Sequence, residues 1–174
     1  MTRYSKLINT QKDILYNSIL LLSRNKLFYT KFNLIDTFQN RIHLIFIHIS
    51  FLFIKIKQNK KNKVFQIFHQ KMFDLVFKRI EINMREFGFG DTTINKNMRF
   101  LVKTFYNILL NCEKFKKMNE DAKNKFLNKY LEQNNIINSA NNKGIFEYFN
   151  KYEAFCFDLS SDSVLKSELK FNYR

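Results

Sequence analysis

A chain of 174 residues with 21 Phe, 8 Tyr and 45% hydrophobic residues carries enough large apolar groups for a packed core, which excludes global disorder. No proline and only 3 glycines leave almost nothing to interrupt a helix, so the expected fold is all-α, a single-domain helical bundle of about six or seven helices over residues 1–174. The net charge of +15 is concentrated in residues 1–117, which hold 22 Lys and Arg against 7 Asp and Glu, whereas residues 118–174 hold 8 of each. Such a field attracts phosphate backbones, anionic lipid headgroups or acidic protein surfaces without choosing among them.

Taken in chain order, TQKDILYNSILLLSR (residues 10–24) sets Thr10 and Asp13 as a variant capping box before a helical apolar pattern through Ile14, Leu15, Ile19 and Leu22. KLFYTKF (residues 26–32) reads as a short helix ending near Asn33. Asp36-Thr37-Phe38-Gln39 is the next cap signal and opens a helix to about Lys57. That helix contains HLIFIHISFLFIKI, where His43, His48, Ser50 and Lys55 interrupt the apolar run of roughly 20 residues that a membrane span needs. A helix apolar on all sides is expected at the centre of a bundle. QNKKNK (residues 58–63) is a basic loop, and a long helical pattern follows from Lys63 to Phe87. Thr92 or Thr93 can cap the next helix, to about Lys117, and Asn119 a shorter one to about Asn135. SANNKG forms a loop, a helix spans about 144–157, and a brief segment over 162–170 completes the chain.

Cys112 and Cys156 stand far apart with no paired spacing, which favours buried reduced thiols over a disulfide or catalytic role. The start, MTRYSKLINTQKD, is polar and basic and lacks the apolar core and cleavage site of a signal peptide.

Two of the glycines, Gly88 and Gly90, lie in the stretch MREFGFGDTTINK. Gly88 fits the left-handed position past a helix end, and Gly90 would let the chain turn sharply into the next cap. A phosphate-binding loop fits less well, because GFG follows a helix, lacks a third glycine and places Asp91 where an anion would sit.

The run FDLVFKRIEINMREFGFGDTTINKNMRFLVKTFYN (residues 73–107) resembles the ubiquinol–cytochrome c chaperone family. The resemblance rests on Phe73-Asp74, on Arg85-Glu86-Phe87-Gly88-Phe89-Gly90-Asp91, on Lys96 and on Phe105-Tyr106. Upstream, Phe28-Tyr29, Asp36-Thr37, Arg41 and His48 match a second block of the family pattern, and the likeness is clearest over residues 12–117. Ile35 stands in place of the usual proline, Arg79 where an acidic residue is common, and Asn107 in place of the glycine after Phe-Tyr. The resemblance implies an all-helical, non-enzymatic assembly factor for respiratory complex III (ubiquinol–cytochrome c reductase), whose client is newly made cytochrome b. It also implies a small helper protein and the ribosome as further partners. The basic surface adds peripheral contact with an anionic membrane, and DNA is not expected. The expected place is the cytoplasm beside the inner membrane in a bacterium, or the matrix side of that membrane in a mitochondrion.

Within the matched blocks, Asp36, Arg41, His48, Arg85, Glu86, Asp91 and Lys96 are candidates for holding the client or partner. Each also has a structural reading. Asp36 and Asp91 can serve helix starts, while Arg41, Arg85 and Glu86 can pair internally. His48 can be a satisfied core histidine, and Phe105 and Tyr106 fit a core pattern. His43, His48 and His69 have no supporting ligand cluster, so no metal or cofactor is expected. No spacing supports a nucleophile–base pair or paired carboxylates, so no catalytic residue is assigned. The leading reading is a chaperone that binds an apolar client helix in an apolar groove with a basic rim. The alternative is a basic all-α RNA- or ribosome-binding protein, although the aromatics follow core periodicity rather than an RNA-binding signature. A small all-α enzyme is a third class and would require a polar cleft with perturbed titratable groups.

Overall fold

A computed structural model describes residues 3–58, 63–134 and 142–173, with side chains except at 3–7, 9, 142 and 143. The fold is all-α. Six longer helices are α1 (Arg3–Ser23), α3 (Phe38–Lys57), α4 (Lys63–Glu86), α5 (Asp91–Lys114), α6 (Glu120–Tyr130) and α7 (Asn142–Asp158). Two short ones, α2 (Leu27–Thr30) and α8 (Ser161–Leu165), and a 3-10 turn at Phe115–Lys117 complete the helical elements among the described residues. Among the described residues the only β pairing is one isolated antiparallel bridge, Leu34 with Gln133.

The most hydrophobic stretch is the central helix. Every residue of α3 from Ile42 to Phe53 is buried, and α1, α4, α5, α7 and α8 all pack on it. No helix among the described residues is long and apolar enough to cross a membrane. Burial of polar groups inside such a core is costly unless each finds a partner. Ser50 Oγ donates to the Phe46 carbonyl at 2.7 Å. His43 Nδ1 donates to the Tyr130 carbonyl at 2.6 Å. His48 Nδ1 lies 2.6 Å from the Leu44 carbonyl and so carries the proton, and its Nε2 accepts from the Tyr148 hydroxyl at 2.8 Å. Rings of Phe28, Tyr148, Phe149 and Tyr152 surround that imidazole. Cys112 and Cys156 are buried free thiols, as their spacing suggested.

The caps divide into those legible in the sequence and those that are not. Thr37 accepts from Asn40 N–H and Asn119 from Ala122 N–H, as expected for N-cap residues. Asp36 takes no part in the α3 cap and pairs with Arg41 instead. Thr10 and Asp13 do not cap α1, because that helix already runs from Arg3 and both lie within it. The N-cap of α5 is Gly90 rather than Thr92 or Thr93, and the helix passes into the 3-10 turn after Lys114. Helix α6 stops at Tyr130, short of the expected Asn135, because the following backbone is extended and bonds to the segment before α3. There Ile35 N–H donates to Glu132 C=O and Asn134 N–H to Asn33 C=O, each at 3.0 Å. Asn40 seals this junction from inside: its amide donates to Ile35 and Glu132 carbonyls at 2.7 and 2.8 Å and accepts from Glu132 N–H at 2.9 Å. The expected loop at 58–63 lies largely outside the described residues, as does the first half of that at 139–144; its second half is helical instead, because α7 begins earlier than expected, at Asn142. The expected C-terminal segment is helical only over Ser161–Leu165.

Candidate interaction surface at the α4–α5 joint

The joint is set by Gly88. Its φ of 81° lies in the left-handed region, where a side chain is strained even though no atom lies within 4 Å of a Cβ built there. Gly88 N–H bonds to Arg85 C=O at 2.9 Å and Phe89 N–H reaches back to Met84 C=O at 3.1 Å. This is the paired hydrogen-bond pattern of a Schellman end, and it satisfies the Met84 and Arg85 carbonyls in the last turn of α4. Gly90 differs from expectation. Its φ of −72° and ψ of 156° are extended values open to any residue, so the sharp turn needs one glycine and not two.

Ion pairs buttress the joint on both sides. Arg85 reaches back to Glu81 at 2.9 Å and across the turn to Asp91 at 2.6 Å, spanning the end of α4 and the start of α5. Asp91 also sits in the first turn of α5, where a carboxylate complements the helix dipole. Near the start of α3, Arg41 grips Asp36 with two nitrogens, at 2.6 and 2.7 Å. That fork lowers the Asp36 carboxyl below the usual carboxylate range and raises the Arg41 guanidinium. Arg85 is raised likewise by its two carboxylates. All five partners have solvent-exposed side chains, so these pairs orient side chains more than they stabilise the fold.

Packing brings the two separated sequence blocks together. Phe38, next to Thr37 at the start of α3, meets Phe87 of the joint edge-to-face with ring centroids 5.5 Å apart. Beside that pair, a cleft of about 400 Å³ is lined by Phe38, Met84, Phe89, Phe100 and Leu101, with Thr37, Gln39 and Asn97 supplying polar edges. Phe87 is 68% and Phe100 58% exposed. Several large aromatics left in solvent on one patch make it a candidate interaction surface.

Of the candidate residues, Asp36 and Arg41 pair next to Thr37, and Arg85 and Asp91 pair across the joint; none of the four lines the cleft itself. Glu86 is exposed beside Phe87, with no ion pair among the described residues. Lys96 lies one helical turn before Phe100, on the outer face of α5. His48 is placed elsewhere, fully buried, where desolvation lowers its pKa to about 4. Phe105 is core, but Tyr106 is not: it is half exposed, against the expectation for the pair. Sequence reasoning passed over the aromatic lining, Phe38, Phe89 and Phe100, and the adjoining Phe87. The available signal was that the joint is one of the few turns in the chain and carries two phenylalanines where polar residues are usual. Among the described residues, no group of 3 or more His, Cys, Asp or Glu is placed to share a metal ion.

A family model described as ubiquinol-cytochrome C chaperone matches residues 30–171 of the chain. The fold is similar to the crystal structure of the Cbp3 homolog from Brucella abortus, with a TM-score of 0.81 and 20% identity over 98% of this chain and 93% of that one. None of the curated proteins matches the chain.

Proposed function

The chain belongs to the ubiquinol–cytochrome c chaperone family, and from that premise we propose that it is a non-enzymatic assembly factor. It holds newly made cytochrome b for complex III through the aromatic cleft at the α4–α5 joint. One observation carries the proposal: residues from two distant sequence blocks converge on a single exposed apolar cleft beside the Phe38–Phe87 pair. A client of this kind presents apolar helical segments whose final packing partners are not yet present. An aromatic cleft offers such a segment a large contact area without a covalent step. The basic first two-thirds of the chain suits the anionic surroundings in which such a client is made, the ribosome and the inner-membrane surface.

The test is crosslinking in native cells with a tagged chain, followed by mass spectrometry, for the parent, for Phe89→Ser/Phe100→Ser and for the control Ile67→Ser on the outer side of α4. The parent and control should recover cytochrome b. The double variant should lose it and deplete complex III while remaining folded. Recovery of RNA or unrelated proteins, with complex III intact when the gene is removed, would refute the proposal and favour the RNA- or ribosome-binding reading.

A further inference from the structure

Helix α5 has a second face. Its inner face is spent on the core through Ile94, Leu101, Phe105, Ile108 and Cys112. Its outer face carries Lys96, Arg99, Lys103, Tyr106 and Leu110, all exposed and spaced alternately by 3 and 4 residues. That alternation is the repeat of a coiled-coil seam, a straight line of side chains along one side of a helix. Tyr106 and Leu110 are 49% and 54% exposed, so the apolar half of the seam is uncovered. The other half is cationic. Helix α5 has no acidic residue between Asp91 and Glu113, and Lys96, Arg99 and Lys103 have no ion-pair partner among the described residues. A trough along this cationic half is lined by Lys96, Arg99, Phe100 and Lys103, among others.

We propose that the outer seam of α5 is a docking site for one amphipathic helix of a partner protein, acidic where it faces Lys96 to Lys103 and apolar where it faces Tyr106 and Leu110. Charge selects this occupant. A second copy would set cations against cations in parallel pairing, and cations against Tyr106 and Leu110 in antiparallel pairing. A bilayer surface is matched by a helix with one broad apolar face opposite a polar one, whereas the broad apolar face of α5 is already buried against α3. Here the cationic and apolar halves follow one another along the helix, which a helical partner can mirror and a flat surface cannot. The seam goes beyond the client reading, because its cations and its apolar end lie outside the residues that line the aromatic cleft.

The experiment uses the full chain and two soluble helical peptides of equal length, one with Leu and Glu heptads and one with Leu and Lys heptads, followed by fluorescence anisotropy. The acidic peptide should bind and the basic one should not. Arg99→Glu/Lys103→Glu should weaken the acidic peptide by about tenfold or more and gain binding of the basic peptide, since two attractions become repulsions. Arg99→Gln/Lys103→Gln, which only removes charge, should give an intermediate loss, and Leu110→Ser should weaken the acidic peptide with its salt dependence unchanged. Circular dichroism confirms that each variant is folded. Equal binding of the two peptides, or no binding of either, would overturn the proposal. So would tighter binding to vesicles containing phosphatidylglycerol or to generic RNA that the same charge reversal abolishes. Phe100 borders both surfaces, but Arg99, Lys103 and Leu110 line no part of the cleft; cytochrome b recovery and peptide binding are measured separately on the parent chain, so either can fail alone.

Discussion

The central imidazole makes the stability of this protein depend on pH in a defined window. His48 is fully buried, with Nδ1–H committed to the Leu44 carbonyl and Nε2 accepting from Tyr148, so the fold holds it neutral. Burial lowers its pKa from 6.5 to about 4. A folded pKa below the unfolded one means that, as pH falls through 6.5, the unfolded chain gains a proton that the folded chain refuses. Stability is therefore complete above that point, declines down to about 4 and then levels off. These two pKa values give a loss of about 2 kcal/mol at pH 5, approaching about 3 kcal/mol at pH 4. His43 and His69 are also lowered by burial and add to the decline, while Glu153, raised by burial, opposes it. The Asp36 pair contributes in a lower window, because its carboxyl is shifted down from 3.8. Comparing His48→Gln with the parent cancels these other groups. The variant should be less stable at pH 7 but lose about 2 kcal/mol less between pH 7 and pH 5, measured by urea denaturation followed by circular dichroism. Equal losses in parent and variant across that interval would refute the buried neutral imidazole.

The glycines give two contrasting outcomes. Gly88→Ala should cost about 1 kcal/mol from the left-handed backbone alone, whereas Gly90→Ala should cost half of that or less; equal midpoint shifts in urea would show that the joint strain is misassigned. Gly144→Ala places a Cβ 2.5 Å from the Phe32 ring, which is itself buried, so overpacking should outweigh the gain in helix propensity and leave a net loss of about 1 to 2 kcal/mol; a stabilised variant would mean that Phe32 can move freely.

Much of the architecture follows from local chemistry that the sequence states directly. Absence of proline and the 3.6-residue apolar rhythm fix the helices, because their backbone bonds close within a few residues. Thr37 and Asn119 announce their caps, since a cap is a contact between a side chain and a backbone N–H three residues on. The left-handed Gly88 and the central burial of HLIFIHISFLFIKI are legible for the same reason. The true start of α1 was not, because a helix continues through a possible cap when the turn before it finds packing, as Ile8 does in the core. The early end of α6 was likewise set by a partner 92 residues away, Asn40 bonding to Glu132. Sequence blocks named charged candidates, Asp36, Arg41, Arg85 and Asp91, but not that the neighbouring Thr37, Phe38, Met84 and Phe89 line one aromatic cleft. Periodicity assigned both Phe105 and Tyr106 to the core, yet only the first is buried, because a helix has two apolar-looking flanks and its neighbours decide which one is covered. Local pattern thus determined the helices, their caps and the residue types at the joint. Which faces remained uncovered, and so which surfaces can bind, depended on long-range packing that no short window of sequence contains.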